Sequence, residues 1–527
     1  MTGLLAVLVP LPVLLPLLGA GLALVLSRHS RAQNVVSIVV LSAVMIIAFV
    51  LLFGVDREGA QVVAIGGWQP PAGIVLVADR LSVLMLVVSS MVTLCVLVYA
   101  LSQDASDDSN ETPISVFNPS YLVLCAGVAN AFLAGDLFNL YVGFEMLLLA
   151  SYVLLTLGAT AERIRAGVTY VVISLVSSII FLTAIGIIYA ACGTVNMAQL
   201  SERLGELPGD VQMILHILLL LGFGIKAAIF PLSFWLPDSY PTAPAPVTAV
   251  FAGLLTKVGI YAIIRTETLL FVDSSLRVPL LIAAALTMLV GILGAIAQSE
   301  IKRIVSFTLV SHIGYMLFGV ALGTTLGLAA AIYYTVHHII VQTALFLAIG
   351  MVEMRGGSTS TRSLGGLMVL SPALTIVFFI PALNLSGIPP FSGFIGKTAL
   401  FTAGFAGEDW LNVTLIVVGT VTSLLTLYVI GRTFNLAFWR DPADAEEPTE
   451  ELVAEFAERK QVLLAGRKWA PTIGVPGPMF WATTGMVAAS LALTVGAEPL
   501  WDLSLRAAEN LSEPLNYVTQ VLGGDAA

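Results

Sequence analysis

The chain has 527 residues, 58% of them hydrophobic and 11% charged, where a soluble domain carries roughly a quarter charged. Mean hydropathy is +0.97 and formal net charge is −10. These values exclude a soluble globular fold and point to an integral membrane protein, in which the location of each charge matters more than the balance. The apolar signal comes as continuous runs of about 20 residues rather than ten-residue alternation, so the spans are helices and not barrel strands.

The predicted elements, in chain order, are about fourteen spans. The first, 3–26, follows no basic leader with a small-residue cleavage site, so it reads as a retained helix. Spans 34–54 and 78–101 come next, then a short acidic loop from Ala105 to Thr112, ASDDSNET. Span 116–134 precedes 137–158, whose sequence LFNLYVGFEMLLLASYVLLTL places Glu145 mid-span. After 165–190 the seventh span, 211–231, carries His216 and Lys226. Pro231 must interrupt it, because proline lacks an amide hydrogen and clashes with the preceding turn; Pro237, Pro241, Pro244 and Pro246 extend the break. The eighth span, 244–265, carries Lys257. Spans 278–297, 303–323 with His312, and 327–351 with His337 and His338 follow. The twelfth, 372–403, is divided by Pro389 and Pro390 in LNLSGIPPFSGFIGKTALF, with Lys397 seven residues beyond the break. Spans 411–437 and 478–497 flank a charged stretch, Arg440 to Lys468. There Leu452, Phe456 and Leu463 recur at helical spacing, which fits an amphipathic helix against the membrane or a partner, or a solvated linker helix.

Basic residues divide unevenly between the two sets of loops. Fourteen, among them Lys302, Arg303, Arg355, Arg362, Arg467 and Lys468, fall on one side; Arg57, Arg80, Arg203, Arg265, Arg277 and Arg506 fall on the other. The positive-inside rule then places both termini away from the cytoplasm. The three cysteines, Cys95, Cys125 and Cys192, match no metal or disulfide spacing and read as small buried hydrophobes.

The informative residues are the ionisable groups inside spans. A lysine at the bilayer centre costs about 2.5–3.5 kcal/mol on insertion scales. Snorkelling would relieve that cost near a span end, but Lys226 and Lys257 have long apolar helix on one side. Glu145 is the natural counter-charge: it forms either a structural ion pair or a device that sets the proton affinity of Lys226 by distance. His216 alone reads as a hydrogen-bonded packing residue. His337 and His338 share a polar stripe with Thr335, Gln342 and Thr343, and histidine can relay protons near neutral pH. Lys226 and Lys397 each sit close to a proline break, and unwound backbone at membrane depth survives only within protein or beside water. Paired broken spans are a transporter signature.

Five motifs in this order resemble one family: YVGFEMLLLASY, GIKAAIFPLSFWLPDSYPTAPAPVTAVFAGLLTKVGIY, EIKRIVSFTLVSHIGY, HHIIVQTALFLAIG and GIPPFSGFIGKTALF. It comprises the proton-pumping membrane subunits of respiratory complex I and their relatives in Mrp-type multisubunit Na+/H+ antiporters. VTSLLTLYVIGRTFNLAFW is most similar to the D-subunit branch of the antiporters. The complex I subunit beside the quinone module is the alternative, and a non-transporting assembly subunit is a second. The resemblance implies an all-α polytopic fold of about fourteen helices. Residues 1–104 would hold three N-terminal helices, 116–265 and 278–437 two inverted five-helix repeats, 438–477 a charged linker, and 478–527 the last helix and tail. Broken helices are expected at spans 7 and 12. The resemblance further implies proton translocation through Glu145, Lys226, Lys257, His338 and Lys397, with His337 and His312 as auxiliaries. Gln342 departs from the family pattern, since many relatives carry a titratable lysine there. The implied partners are other subunits of a hetero-oligomeric complex, protons and Na+ as transported ions, and the lipid bilayer. No cofactor, metal, nucleic-acid partner or enzymatic activity is expected.

Overall fold

The computed structural model describes residues 2–104, 114–272, 276–407, 409–464 and 474–523. The acidic loop 105–112, and Arg467 and Lys468 of the charge count, lie outside them. Among the described residues, thirteen helices are long and apolar enough to cross a membrane, from Gly3–Val25 to Gly477–Val495. The remaining predicted span is divided as its prolines require, into Pro372–Ser386 and Ser392–Phe405. The chain is thus a multi-pass helical membrane protein.

Burial sorts these helices. The most apolar windows of Ala245–Leu270 and Thr325–Gly356 are 100% buried, whereas that of Ser30–Glu58 is 28% buried and turns most of its surface outward. The helices richest in polar side chains therefore form the centre, and purely apolar ones form the rim. Without a hydrophobic drive between helices in lipid, close packing depends on small residues. A Cβ on Gly291 would overlap the Ser311 amide nitrogen, so Arg277–Ile296 and Ile301–Ala321 meet backbone to backbone.

The first break follows Gly209–Ala227, where Ala228 takes a left-handed conformation at φ 58°. The chain then passes through the short turns Leu236–Ser239 and Tyr240–Thr242 before helix resumes at Ala245. The Trp235 indole donates to the Ile225 carbonyl at 3.1 Å, which also accepts from the Ala228 amide at 3.2 Å, and so ties the break to the end of the helix. The resumed helix contains two π-helical segments, Phe251–Leu255 and Thr266–Leu270, which the apolar pattern could not signal. The second break follows Ser386 at Gly387, φ 80°.

Several features were not legible beforehand. A hairpin of Gln61–Ala64 and Val75–Ala78 lies between the second and third spans. Beyond the last span, two further helices, Ala497–Leu511 and Pro514–Leu522, fold back; Val518 and Val521 of the latter pack on Val75, Val77 and Ala198. In the charged stretch, helix Glu450–Leu464 buries Leu452 and Phe456 against the body, with Arg459 donating to the Leu370 carbonyl and Arg355 bound to Glu455. Its other face, with Glu451, Glu458 and Lys460, is exposed, so the helix is amphipathic as its spacing predicts; the side chain of Leu463 lies outside the described residues.

Arg265 corrects the loop count. It is 4% exposed, because the eighth span runs on to Leu270. Its guanidinium donates to Asp79 at 2.6 Å, to Ser82 Oγ at 3.0 Å and to the Tyr261 hydroxyl at 3.1 Å. Removing one member of a buried pair strands the other charge, at about 3–5 kcal/mol. Arg265→Leu is therefore expected to lower the melting temperature of the detergent-solubilised protein. The pair Asp79→Asn/Arg265→Leu should recover most of the loss, as read by fluorescence-detected gel filtration after heating.

Candidate functional site

The first group of polar residues is built from three helices. Leu137–Leu155 is capped by Asp136, whose carboxylate accepts from the Asn139 amide at 2.6 Å; burial pushes this carboxyl up to about 6. Glu145 projects from its middle, half-buried. The Ser178 hydroxyl, on Ala161–Cys192, donates to the Glu145 carboxylate. Lys226 is 7% exposed, and its Nζ donates to the same Ser178 hydroxyl at 3.2 Å while lying 5.0 Å from the Phe144 ring centroid. Glu145 and Lys226 thus communicate through a hydroxyl rather than by direct contact. Charge attraction holds the lysine, and a proton can pass along the bridge.

Lys257 occupies the core. It is fully buried, and its Nζ donates to the Ala252 carbonyl at 2.6 Å, inside the first π-helical segment. Gly253 lets that segment touch the long helix Thr325–Gly356, for a Cβ there would collide with Thr343 Oγ1. Gly259 likewise lets the eighth span meet the backbone of Ala227 beside Lys226, where a Cβ would be 2.7 Å from the amide nitrogen. The two lysines are therefore carried on backbones in contact.

The histidines form one cluster with two tyrosines. His312, His337 and His338 are all fully buried. The Tyr334 hydroxyl bonds His312 Nδ1 at 2.8 Å, and the rings of His312 and His338 are 5.2 Å apart. His337 Nδ1 bonds Ser392 Oγ at 2.9 Å, and that hydroxyl donates to Asn384 Oδ1 at 3.3 Å across the second break. His312 Nε2, His337 Nε2 and both nitrogens of His338 are buried without a protein partner among the described residues. Such atoms are costly unless they exchange protons or meet water, and imidazole does both. Lys257 and Lys397 each lie within electrostatic range of this cluster.

Lys397 is held by the break itself. Its Nζ donates to the Leu385 and Ser386 carbonyls at 3.3 and 3.1 Å and to Ser423 Oγ at 2.9 Å. The two carbonyls end helix Pro372–Ser386, where orphan acceptors and the negative end of the macrodipole favour a cation. The Tyr315 ring lies 5.2 Å from the ammonium and 5.5 Å from the Tyr334 ring, which links Lys397 to the histidines.

All seven sequence-predicted site residues thus lie inside the bundle: Glu145 and Lys226 in one group, the three histidines and Lys397 in another, and Lys257 on the Ala252 carbonyl. The predicted polar stripe is divided: the Thr335 and Thr343 hydroxyls return to their own helix at Ala331 and Ile339, and Gln342 Nε2 donates to Val305. His216 is hydrogen-bonded as expected of a packing residue, here to Glu267. Sequence reasoning missed Ser178, Tyr315, Tyr334, Asn384, Ser392 and Ser423. Each is a polar residue inside an apolar span, but many others satisfy only their own helix.

Gly387 tests the lysine cradle. A Cβ there would lie 3.0 Å from Lys397 Nζ and 2.9 Å from its Cδ, on a backbone at φ 80°. Gly387→Ala is expected to displace the ammonium from its carbonyls. Ion transport in membrane vesicles should fall severalfold while the protein still reaches the membrane in normal amount, whereas Gly485→Ala, with open space at its Cβ, should change neither.

The family model described as "NADH:quinone oxidoreductase/Mrp antiporter, TM" matches residues 134–426, a range that includes every site residue above. The chain is 38% identical over 518 residues to the D subunit of the Na(+)/H(+) antiporter of Alkalihalophilus pseudofirmus, covering 98% of this chain and 99% of that one. It is 39% identical over 442 residues to the D subunit of the Na(+)/H(+) antiporter of Bacillus subtilis, covering 83% and 88%. A chain in the structure of the Mrp complex from Dietzia sp. DQ12-45-1b superposes with a TM-score of 0.87 at 33% identity, covering 99% of this chain and 100% of that one. A chain of the archaeal membrane-bound sulfane sulfur reductase superposes with a TM-score of 0.82 at 25% identity, covering 98% and 99%.

Proposed function

The chain belongs to the NADH:quinone oxidoreductase/Mrp antiporter family of membrane subunits, and from that premise we propose that it is the proton-carrying D-type subunit of a multisubunit Na+/H+ antiporter. The near full-length identity to antiporter D subunits favours this over a role in a quinone-reducing complex. The observation that carries the mechanism is the Glu145–Ser178–Lys226 bridge, followed by Lys257, the histidine cluster and Lys397.

In this reading a proton reaches Lys226, and a change at Glu145 alters how firmly the lysine holds it. With the carboxylate ionised and bridged through Ser178, the ammonium form is favoured. When the bridge opens or Glu145 is neutralised, desolvation favours release of the proton. Lys257 passes it to the histidines, whose free nitrogens accept and donate in turn, and Lys397 is the last station. Gln342 cannot titrate, so His338 and His312 take over at that depth. Residues 116–265 and 278–437 are the two halves, inverted with respect to each other. Sodium efflux is coupled elsewhere in the assembled complex, with the other subunits as partners. The protein lies in the cell membrane with both termini away from the cytoplasm. With Arg265 removed from the loop tally, the basic asymmetry supporting that orientation becomes fourteen against five.

Glu145→Ala and Lys226→Ala are each expected to reduce Na+-dependent proton movement in everted vesicles by about a hundredfold or more, within the range for removing a positioned proton-transfer group. Ser178→Ala should give an intermediate loss, because it removes the bridging hydroxyl but neither charge. Unchanged antiport with normal complex assembly in the first two variants would remove these residues from the path. Loss of complex assembly when these residues are replaced by neutral ones would instead favour a purely structural role.

A further inference from the structure

We propose that His216 and Glu267 form a proton-exchange port between the first-repeat lysines and the water on the face that carries the two C-terminal helices. The inference rests on the reading that this chain carries protons. His216 precedes Lys226 by ten residues on Gly209–Ala227, and Glu267 follows Lys257 by ten on the span Ala245–Leu270. The two helices run in opposite directions, so both residues lie about 15 Å from the lysine level towards the same surface. The imidazole and carboxylate are hydrogen-bonded there, with side chains 3% and 13% exposed. The imidazole stacks on Phe271 with ring centroids 4.3 Å apart and planes at 6°, which fixes its orientation.

The pair lies beside two clefts that meet at Val272. His216 lines one of about 530 Å³, bordered by the exposed Gly205 and Gly209. Glu267 lines another of about 300 Å³, bordered by the exposed Val272 and Gly323. A proton arriving in either cleft meets one of two titratable groups already hydrogen-bonded to each other, as acid–base exchange requires. Glu267 also sits in the π-helical segment Thr266–Leu270, and such segments recur at functional positions.

Neighbouring charges are engaged elsewhere. Arg277 shares the cleft of Glu267 but binds Asp409 and Asn412 at 3.0 and 2.9 Å. Arg265 binds Asp79. Arg203, on Met197–Arg203 which packs against Thr266–Leu270, donates to the Cys192 carbonyl at 2.7 Å. Asp210 stands at the exposed start of the helix bearing His216. Inward of the pair, Leu219, Phe223, Ile260 and Ile264 are buried and apolar. An antiporter cannot hold an open wire to one bulk phase without dissipating the gradient. A dry layer between port and lysine that wets only transiently meets that requirement.

The test is the intact complex in vesicles, with the pH of each face set independently. His216→Gln and Glu267→Gln should each slow proton transport about tenfold or more and alter its dependence on the pH of one face only. The exchanged pair His216→Glu/Glu267→His should restore a substantial part of both. The port is overturned if the single variants assemble and keep the parent rate and both pH profiles, or if the rate falls with neither profile changed. It is equally overturned if all three variants, the exchanged pair included, fail to assemble, since the pair is then a structural latch. Lys226→Ala separates the two levels: if it too leaves transport intact, the proton-carrying reading has failed and not the port alone.

Discussion

An ammonium group in hydrocarbon must be given oxygen atoms by the protein itself, and inside an intact helix each carbonyl already serves the ladder and has only a second lone pair to offer. Breaking a helix at membrane depth frees carbonyls where water is scarce. Lys397 shows the solution directly, taking the two last carbonyls of Pro372–Ser386. Lys257 takes one from a π-helical segment, and Lys226 leans on a serine and an aromatic face beside its own break. Three buried lysines are thus held in three ways, Lys397 by three oxygen acceptors and Lys257 and Lys226 by one hydrogen bond each. That is the condition under which a small displacement of a carboxylate or a carbonyl changes whether the proton stays.

The same constraint explains the packing. Helices that carry polar groups are costly to expose to lipid, and Ala245–Leu270 and Thr325–Gly356 are enclosed by other helices. Close approach then depends on glycines at the crossings, at Gly253 against Thr343 and at Gly259 against Ala227. The outer helices screen this assembly from lipid, and the amphipathic helices at each face tie it down through Arg355–Glu455 on one side and Val518 and Val521 on the other.

The relay proposed for residues 278–437 rests on imidazole. His312, His338 and His337 are spaced by ring contacts with Tyr334 and end on a serine–asparagine pair at the second break. Histidine suits that place because it gives and takes a proton without the desolvation cost of a permanent charge. Position 342 is a glutamine, which cannot titrate, and His338 lies about one helical turn before it.

Sequence alone determined the class of protein, the number of spans, both breaks and the seven buried ionisable residues. Each follows from a local rule: apolar length, proline chemistry, and the cost of placing a charge in hydrocarbon. Span ends near charges were less legible, because a helix whose arginine finds a buried partner runs on, as Arg265 does with Asp79. The hairpin and the last two helices were hidden because their apolar faces are short and periodic, not continuous. Only the tertiary structure decided which of many serines, threonines and tyrosines reach a partner on another helix. Ser178 and Thr335 look alike in sequence, yet one bridges Glu145 to Lys226 and the other bonds its own helix. A hydroxyl one turn from a carbonyl always has that local partner available, and only a neighbouring helix, placed by packing, can offer it another.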